Sequence, residues 1–156
     1  MIYFAYASNL DERQMALRCP GGRMTGVAQL AHHRLCFPRR SPIRDCAVAS
    51  IEPFSGAMVW GITYELSGDD LKRLDAREGY NAGRPPEQNR YNRVPVKIVR
   101  LRGEAVDAYA YVAVPEPDPG LPSPNYLKQI VNAATAHGFP EEYINTLKAF
   151  PVGPDA

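Results

Sequence analysis

The fold is decided by residues 47–66, which read AVASIEPFSGAMVWGITYEL. Their β-branched and aromatic content predicts two strands, residues 47–51 and 58–66, joined by a turn at 53–56 that contains Pro and Gly. The second strand alternates only loosely between apolar and polar side chains, so we expect both of its faces to be covered. Other parts of the chain must therefore pack on this hairpin.

Four further segments on either side of the hairpin also predict strands. Residues 1–6 and 25–37 precede it, and the longer one is expected to bend at Gly26. Residues 91–101 and 104–114 follow it and predict a second hairpin that turns at Arg102-Gly103. The chain thus carries about six strands, and the five that follow one another in its middle are enough to close a small barrel.

Four helices are predicted, and they do not alternate regularly with the strands. The clearest is capped by Ser67 and runs to Glu78, just before Gly79. For the first helix we expect Ser8 or Asn9 as the cap. This order of elements favours the α+β class with a mostly antiparallel or mixed sheet. The other three helices are expected at residues 11–18, 124–137 and 140–150.

The composition is that of an ordinary globular protein and excludes several classes of function. The chain has 156 residues, 45% hydrophobic and 22% charged, which predicts one domain over residues 1–156. Its formal net charge is +1, so we expect no broad attraction to nucleic acid or to an anionic membrane. The sequence has neither a membrane-length apolar run nor a signal-peptide pattern. Three cysteines without a framework spacing favour reduced thiols and a cytoplasmic location.

The most informative residue is Glu78. It follows Leu74 by four positions and Leu71 by seven, so it shares the apolar face of its helix. It also lies in the last turn, where the helix dipole disfavours a negative charge. Both effects raise the pKa of a carboxyl group toward the range in which it acts as a general acid and base. The alternative is a boundary residue that reaches solvent or pairs with an arginine.

A second candidate site is the junction between the first strand and the first helix, residues 6–10. Such a junction presents free backbone N–H groups, which can receive a carboxylate or a developing oxyanion. The alternative is an ordinary helix cap, a role that Ser and Asn fill in many proteins.

The other reactive side chains form weaker patterns. Cys36 follows His32 and His33 on a strand, and nothing in that spacing brings a thiol and an imidazole together. Zinc-ligand spacings and phosphate-binding loops are absent from the sequence, so we expect no metal and no cofactor. A basic loop, expected to be simply solvated, is the one feature that favours a nucleic-acid binder. It contains Arg39, Arg40 and Arg44.

Short motifs along nearly the whole chain resemble the gamma-glutamylcyclotransferase family, in the order that the family has. They are FAYASNL at 4–10, WGITYEL at 60–66, LDAREGY at 74–80 and SPNYLKQIVNAATAHGFPEEYINTLKAF at 123–150. The resemblance implies a small mixed β-barrel with flanking helices. It also implies an enzyme that releases 5-oxoproline from gamma-glutamyl compounds.

The resemblance assigns roles to individual residues. It makes Glu78 the catalytic glutamate and identifies two tyrosines of the pocket, Tyr91 and Tyr126. Ala7 stands where the family usually has Gly, and a positive φ there would cost an alanine on the order of 1 kcal/mol. The implied substrate loop consists of Tyr6, Ala7, Ser8, Asn9 and Leu10.

In this reaction the small-molecule substrate supplies its own nucleophile, because its α-amine attacks its γ-carbonyl. Glu78 can take the proton from the amine and give it to the leaving amine, while N–H groups of residues 6–10 stabilise the oxyanion. The alternative is a non-catalytic binding module that holds a small carboxylate ligand in the same pocket. The leaving group and the oligomeric state stay open. A homodimer contact has three aromatic candidates, Trp60, Tyr109 and Tyr111.

Overall fold

A computed structural model describes residues 1–154 and contains a closed barrel of five strands with four helices beside it. The predicted α+β class with a mostly antiparallel barrel is therefore confirmed. The strands are β1 (Ile2–Ala5), β2 (Arg23–Ser41), β3 (Cys46–Glu65), β4 (Tyr91–Arg100) and β5 (Ala105–Ala113). The helices are α1 (Glu12–Arg18), α2 (Gly68–Glu78), α3 (Pro124–Ala136) and α4 (Glu141–Lys148).

Around the barrel the strands follow the order β1-β3-β2-β4-β5. All neighbours are antiparallel except β1 and β5, which close the barrel in parallel where Tyr3 pairs with Tyr109. β1 lies very close to β3 at Gly61, where a side chain would collide with the carbonyl of Ala5 and the ring of Phe4. This close contact fixes the end of β1, from which the candidate substrate loop departs.

The strand count is five because two predicted strands are one. The predicted strands 47–51 and 58–66 are one continuous strand, β3, which ends at Glu65, and no turn separates them at 53–56. Instead the register of the ladder shifts, because Ala31 pairs with Met58 and His33 pairs with Pro53. Between these two pairs β3 advances by five residues and β2 by two. The extra residues form a bulge at which His32 of β2 adopts a φ of 57°. Pro and Gly in a strand are typical of such a bulge as well as of a turn.

The helix ends agree with the sequence for α2 and differ for α1. Ser67 accepts a hydrogen bond from Asp70 N at 3.1 Å, and Gly79 ends α2 with a φ of 73°. For α1 the expected cap, Ser8 or Asn9, is wrong: the Asp11 carboxylate accepts from Arg13 N at 3.0 Å. Ser8 and Asn9 lie before this cap in a turn of 3₁₀ helix that spans Ser8–Leu10.

Of the three aromatic residues considered for a dimer contact, Trp60 and Tyr109 are half-buried and Tyr111 is buried. Tyr111 is 3% exposed, so its assignment to a surface contact is wrong. Trp60 packs against Phe139, with 5.8 Å between ring centroids, and Arg93 stacks on Tyr109. Among the residues described, no helix is both long and apolar enough to cross a bilayer.

Candidate active site

One cavity of about 330 Å³ brings together nearly all the residues that the sequence identified. Its wall is built from the end of β1 and the turn that follows, the end of α2, the loop between β2 and β3, and the start of α3. Leu10 is the exception, since it does not line the cavity and its side chain is buried in the core. The predicted residues in the wall are Tyr6, Ala7, Ser8, Asn9, Glu78, Tyr91 and Tyr126.

Glu78 lies at the end of α2, on the face that Leu71 and Leu74 bury against the core. Burial raises the pKa of its carboxyl group, while nearby arginines, of which Arg18 has the largest effect, oppose that rise. Within the described part of the chain, no hydrogen bond or ion pair engages its carboxylate. The arginine-paired boundary residue considered from the sequence is thus not what the structure contains. Glu78 instead lines the cavity without a partner for its carboxyl group among residues 1–154.

The turn after β1 offers backbone donors to the same cavity. Its own hydrogen bonds run from Leu10 N to Ala7 O, at 2.9 Å, and from Asp11 N to Ser8 O, at 3.0 Å. Among the hydrogen bonds of the described residues, the amides of Ala7, Ser8 and Asn9 donate to no protein acceptor. Ala7 has a φ of −130°, so this position does not require a glycine.

Asn9 fixes the conformation of this turn. Its amide Nδ2 donates to Tyr3 Oη at 2.8 Å. Its Oδ1 accepts from Gln14 Nε2 at 2.9 Å and from Arg18 Nη1 at 2.8 Å. The buried Asn9 side chain thus makes three hydrogen bonds and acts as the centre of a hydrogen-bond network rather than as a helix cap.

The two tyrosines bind the same residue of β3. Tyr126 Oη accepts from Ala49 N at 2.9 Å, and Tyr91 Oη donates to Ala49 O at 2.7 Å. Tyr6 Oη donates to Tyr111 O at 2.5 Å. Burial raises the pKa of Tyr126 to about 12 and that of Tyr91 well above its usual value. All three hydroxyl groups are therefore neutral near pH 7 and act as hydrogen-bonding groups, not as bases.

Sequence reasoning missed the arginines of the cavity. The expectation of a basic loop that is simply solvated is wrong: Arg39 and Arg40 lie at the end of β2, and of the three only Arg44 lies in the loop between β2 and β3. All three line the cavity with three other arginines. The signal was visible as a run of basic residues. Its position could not be seen, because the pairing of β2 with β3 over their whole lengths brings that loop to the cavity. The arginines of the wall are Arg18, Arg39, Arg40, Arg44, Arg77 and Arg90.

The cysteines lie outside this arrangement. Burial raises the pKa of Cys36 and of Cys19 to about 11, so both thiols are protonated near neutrality and are poor nucleophiles. Neither lines the cavity, and His32 is exposed on the bulge. Over residues 1–154, no group of three or more His, Cys, Asp or Glu side chains is placed to hold a metal ion.

The sequence and the fold of this chain are similar to those of known proteins. Residues 58–147 match the model of the AIG2-like family. The human gamma-glutamylcyclotransferase is 31% identical over 152 residues, which cover 95% of this chain and 77% of the human protein; the mouse protein is 30% identical over the same shares. A solved structure of a gamma-glutamyl cyclotransferase superposes with a TM-score of 0.88 at 29% identity, covering 98% of this chain and 89% of that one.

Proposed function

This chain belongs to the AIG2-like family and is a cyclising enzyme related to the gamma-glutamylcyclotransferases, and we propose that it releases 5-oxoproline from a gamma-glutamyl amino acid or amine. We also propose that residues 1–156 form one domain and that the enzyme works in the cytoplasm, where its three free cysteines would stay reduced.

The proposed reaction is an intramolecular acyl transfer. The α-amine nitrogen of the substrate attacks the γ-carbonyl carbon, which closes a five-membered ring through a new carbon–nitrogen bond. The tetrahedral intermediate collapses, and the bond between the γ-carbon and the leaving nitrogen breaks. One proton moves from the attacking amine to the leaving amine, so neither water nor a protein nucleophile is consumed.

Glu78 is proposed to carry that proton. In its ionised form it accepts a proton from the attacking amine, and the resulting acid donates the proton to the leaving nitrogen. A raised pKa suits both steps, because it makes the carboxylate a stronger base and keeps the acid form accessible near neutral pH. The arginines nearby keep enough of the group ionised to act as a base.

The turn of residues 6–10 is proposed to hold the γ-glutamyl group. The unengaged amides of Ala7, Ser8 and Asn9 can donate to the oxyanion that forms on the γ-carbonyl oxygen, or to the α-carboxylate. Asn9, held by Tyr3 and Arg18, keeps these donors in place before substrate arrives. Such fixed donors stabilise a transition state without reorganisation during the reaction.

The observation that carries the proposal is the carboxyl group of Glu78, which is partly buried, has no ion pair or hydrogen bond from residues 1–154, and lines the same cavity as this turn. The test is incubation of the purified protein with a panel of gamma-glutamyl amino acids and amines, with 5-oxoproline measured by mass spectrometry. We expect release from at least one compound, and loss of release in Glu78→Gln. Binding of these compounds without release would instead favour the alternative, a binding module for a small carboxylate ligand.

A further inference from the structure

Arg44 is a cation held in one orientation without an acidic partner. Its Nη1 donates to Gln129 Oε1 at 3.2 Å and its Nη2 to Gln14 Oε1 at 3.1 Å. Its guanidinium carbon lies 4.7 Å from the centre of the Tyr126 ring. These contacts are neutral, and they use two of the five N–H donors that an arginine has. Among the described residues, no carboxylate forms an ion pair with Arg44.

Gln14 links this cation to the candidate substrate loop. While its Oε1 accepts from Arg44, its Nε2 donates to Ser8 Oγ at 2.9 Å and to Asn9 Oδ1 at 2.9 Å. Gln129 of α3 completes the support by donating to Asp11 Oδ2 at 3.1 Å. Arg44 is therefore fixed relative to the turn that would hold the γ-glutamyl group. Such a fixed position is needed if Arg44 is to bind the leaving group of the same substrate.

The cavity wall carries more positive charge than the α-carboxylate of a γ-glutamyl group can neutralise. Six arginines line it, with Glu78 as the acid among the lining residues. Arg40 pairs with Asp45 and Arg39 lies 3.8 Å from Glu116, whereas the other four have no acid partner within ion-pair distance in residues 1–154. Arg18 Nε is also buried without a hydrogen-bond acceptor. A γ-glutamyl amino acid brings two α-carboxylates, and together with Glu78 these match three of the four arginines that have no acid partner. The remaining positive charge favours a ligand with one further anionic group.

The basic loop lies where a leaving group would reach solvent. The tip of this loop is open, since Ile43 is 84% exposed and Pro42 and Asp45 are also exposed. Glu78 and the turn after β1 line the same cavity. A leaving group that extends from Glu78 and the turn toward solvent at this tip would pass Arg44.

We propose that Arg44 binds a side-chain carboxylate of the leaving group, so that the preferred substrates are gamma-glutamyl derivatives of acidic amino acids. This inference rests on the proposed function. The guanidinium forms charge-assisted hydrogen bonds with that carboxylate, and these bonds are stronger than those of a neutral amide in its place. Arg44 is thus a specificity-determining residue, distinct in role from Glu78.

The test compares γ-glutamylglutamate with γ-glutamylglutamine, whose leaving groups have nearly the same size and differ by one charge. For the wild-type protein we expect kcat/KM to be about tenfold higher for the acidic compound. In Arg44→Gln the ratio falls to about 1, and Arg44→Lys, which keeps the charge but not the planar fork, gives an intermediate ratio. Arg34→Gln is the matched control: it removes the same charge from an exposed pair with Glu52 outside the cavity and keeps the wild-type ratio.

Equal kcat/KM values for the two compounds in the wild-type protein overturn the inference, as does a ratio that survives in Arg44→Gln. If neither compound releases 5-oxoproline, binding of both is measured by calorimetry. Tighter binding of the acidic compound that is lost in Arg44→Gln then supports the inference while the proposed function fails for this pair. Equal binding in that case refutes the inference as well.

Discussion

Replacing Glu78 by glutamine separates its proposed chemistry from its contribution to stability. Glutamine keeps the size of the side chain and its capacity for hydrogen bonding, but it cannot accept the proton of the attacking amine. We expect kcat to fall roughly 10²–10⁴-fold, which is the usual contribution of a general acid–base group. That loss corresponds to about 3–5 kcal/mol in activation free energy. KM should change less, because the proton transfer occurs only in the transition state.

The same substitution should leave the fold as stable or make it more stable. The Glu78 carboxylate lies on the apolar face of α2 at its C-terminal end, without a hydrogen bond or an ion pair from residues 1–154. Removing a negative charge from a helix C-terminus stabilises by about 0.3–1 kcal/mol, and the lost attraction to Arg18 offsets part of this gain. We expect an increase of at most about 1 kcal/mol in the free energy of unfolding, or roughly 2–4 °C in Tm.

The difference in stability between Glu78→Gln and the wild-type protein should grow as the pH rises. Because the pKa of Glu78 is raised in the folded state, the folded protein holds a proton at pH values where the unfolded chain has released it. The stability from this proton is complete below the ordinary glutamate pKa and is lost as pH rises through the raised pKa. The Tm advantage of Glu78→Gln should therefore be smallest at acid pH and grow with pH. Wild-type kcat/KM should rise over the same range, since the base must be ionised.

Both properties are measured on the same purified protein, by thermal unfolding and by 5-oxoproline release. The control is Glu104→Gln, which removes an exposed carboxylate near the β4–β5 turn, outside the cavity, and should change neither property. A Glu78→Gln variant with wild-type turnover would refute the role of Glu78 as proton carrier. A variant that is active but about 3–5 kcal/mol less stable would identify a structural ion pair instead.

Three further predictions concern the surroundings of this carboxyl group. Asn9→Ala should lower kcat. It should also lower the free energy of unfolding by about 1–3 kcal/mol, because it leaves Tyr3 and Arg18 without a partner. Wild-type turnover in the folded variant, assayed well below its Tm, would contradict the positioning role of Asn9. Tyr126→Phe should change kcat or KM several-fold. It should also lower the free energy of unfolding in chemical denaturation by about 1–2 kcal/mol, because the buried amide of Ala49 loses its acceptor. Unaltered kinetics would mean that the hydroxyl group serves only the fold. Turnover should be insensitive to EDTA and to replacement of all three cysteines by serine, and a folded but inactive triple variant would argue for a thiol in the reaction.

The sequence was most informative where local chemistry determines the structure. Helix α2 begins at a serine cap and ends at a glycine, and its 3.6-residue period places Glu78 beside Leu74. These signals lie within about a dozen residues, so they predicted the helix and the partial burial of Glu78 at its end. The turn after β1 was likewise visible as a strand–helix junction, although the cap proved to be Asp11 because it lies directly before the helix.

The features that the sequence did not predict depend on contacts between distant residues. Pro53 and Gly56 are compatible with a turn or a bulge, and only the long pairing of β2 with β3 selects the bulge. That pairing also brings Arg44 to the cavity. The hydrogen bond from Ala49 N to Tyr126 Oη joins β3 to α3 across 77 residues, and no local pattern indicates such a partner.

The β2–β3 hairpin has a consequence for protein engineering. Its tip, residues 42–45, hangs beyond a ladder that is still paired at Ser41 and Cys46, whereas Glu78 belongs to α2 and the unengaged amides follow β1. The tip and the proposed reacting groups are thus carried by different elements, and Gln14 links them, because it binds both Arg44 and the turn after β1. A designer could graft a tip of another length or charge onto the Ser41–Cys46 stem to accept a different leaving group, provided that the new tip supplies a donor to Gln14 in place of Arg44.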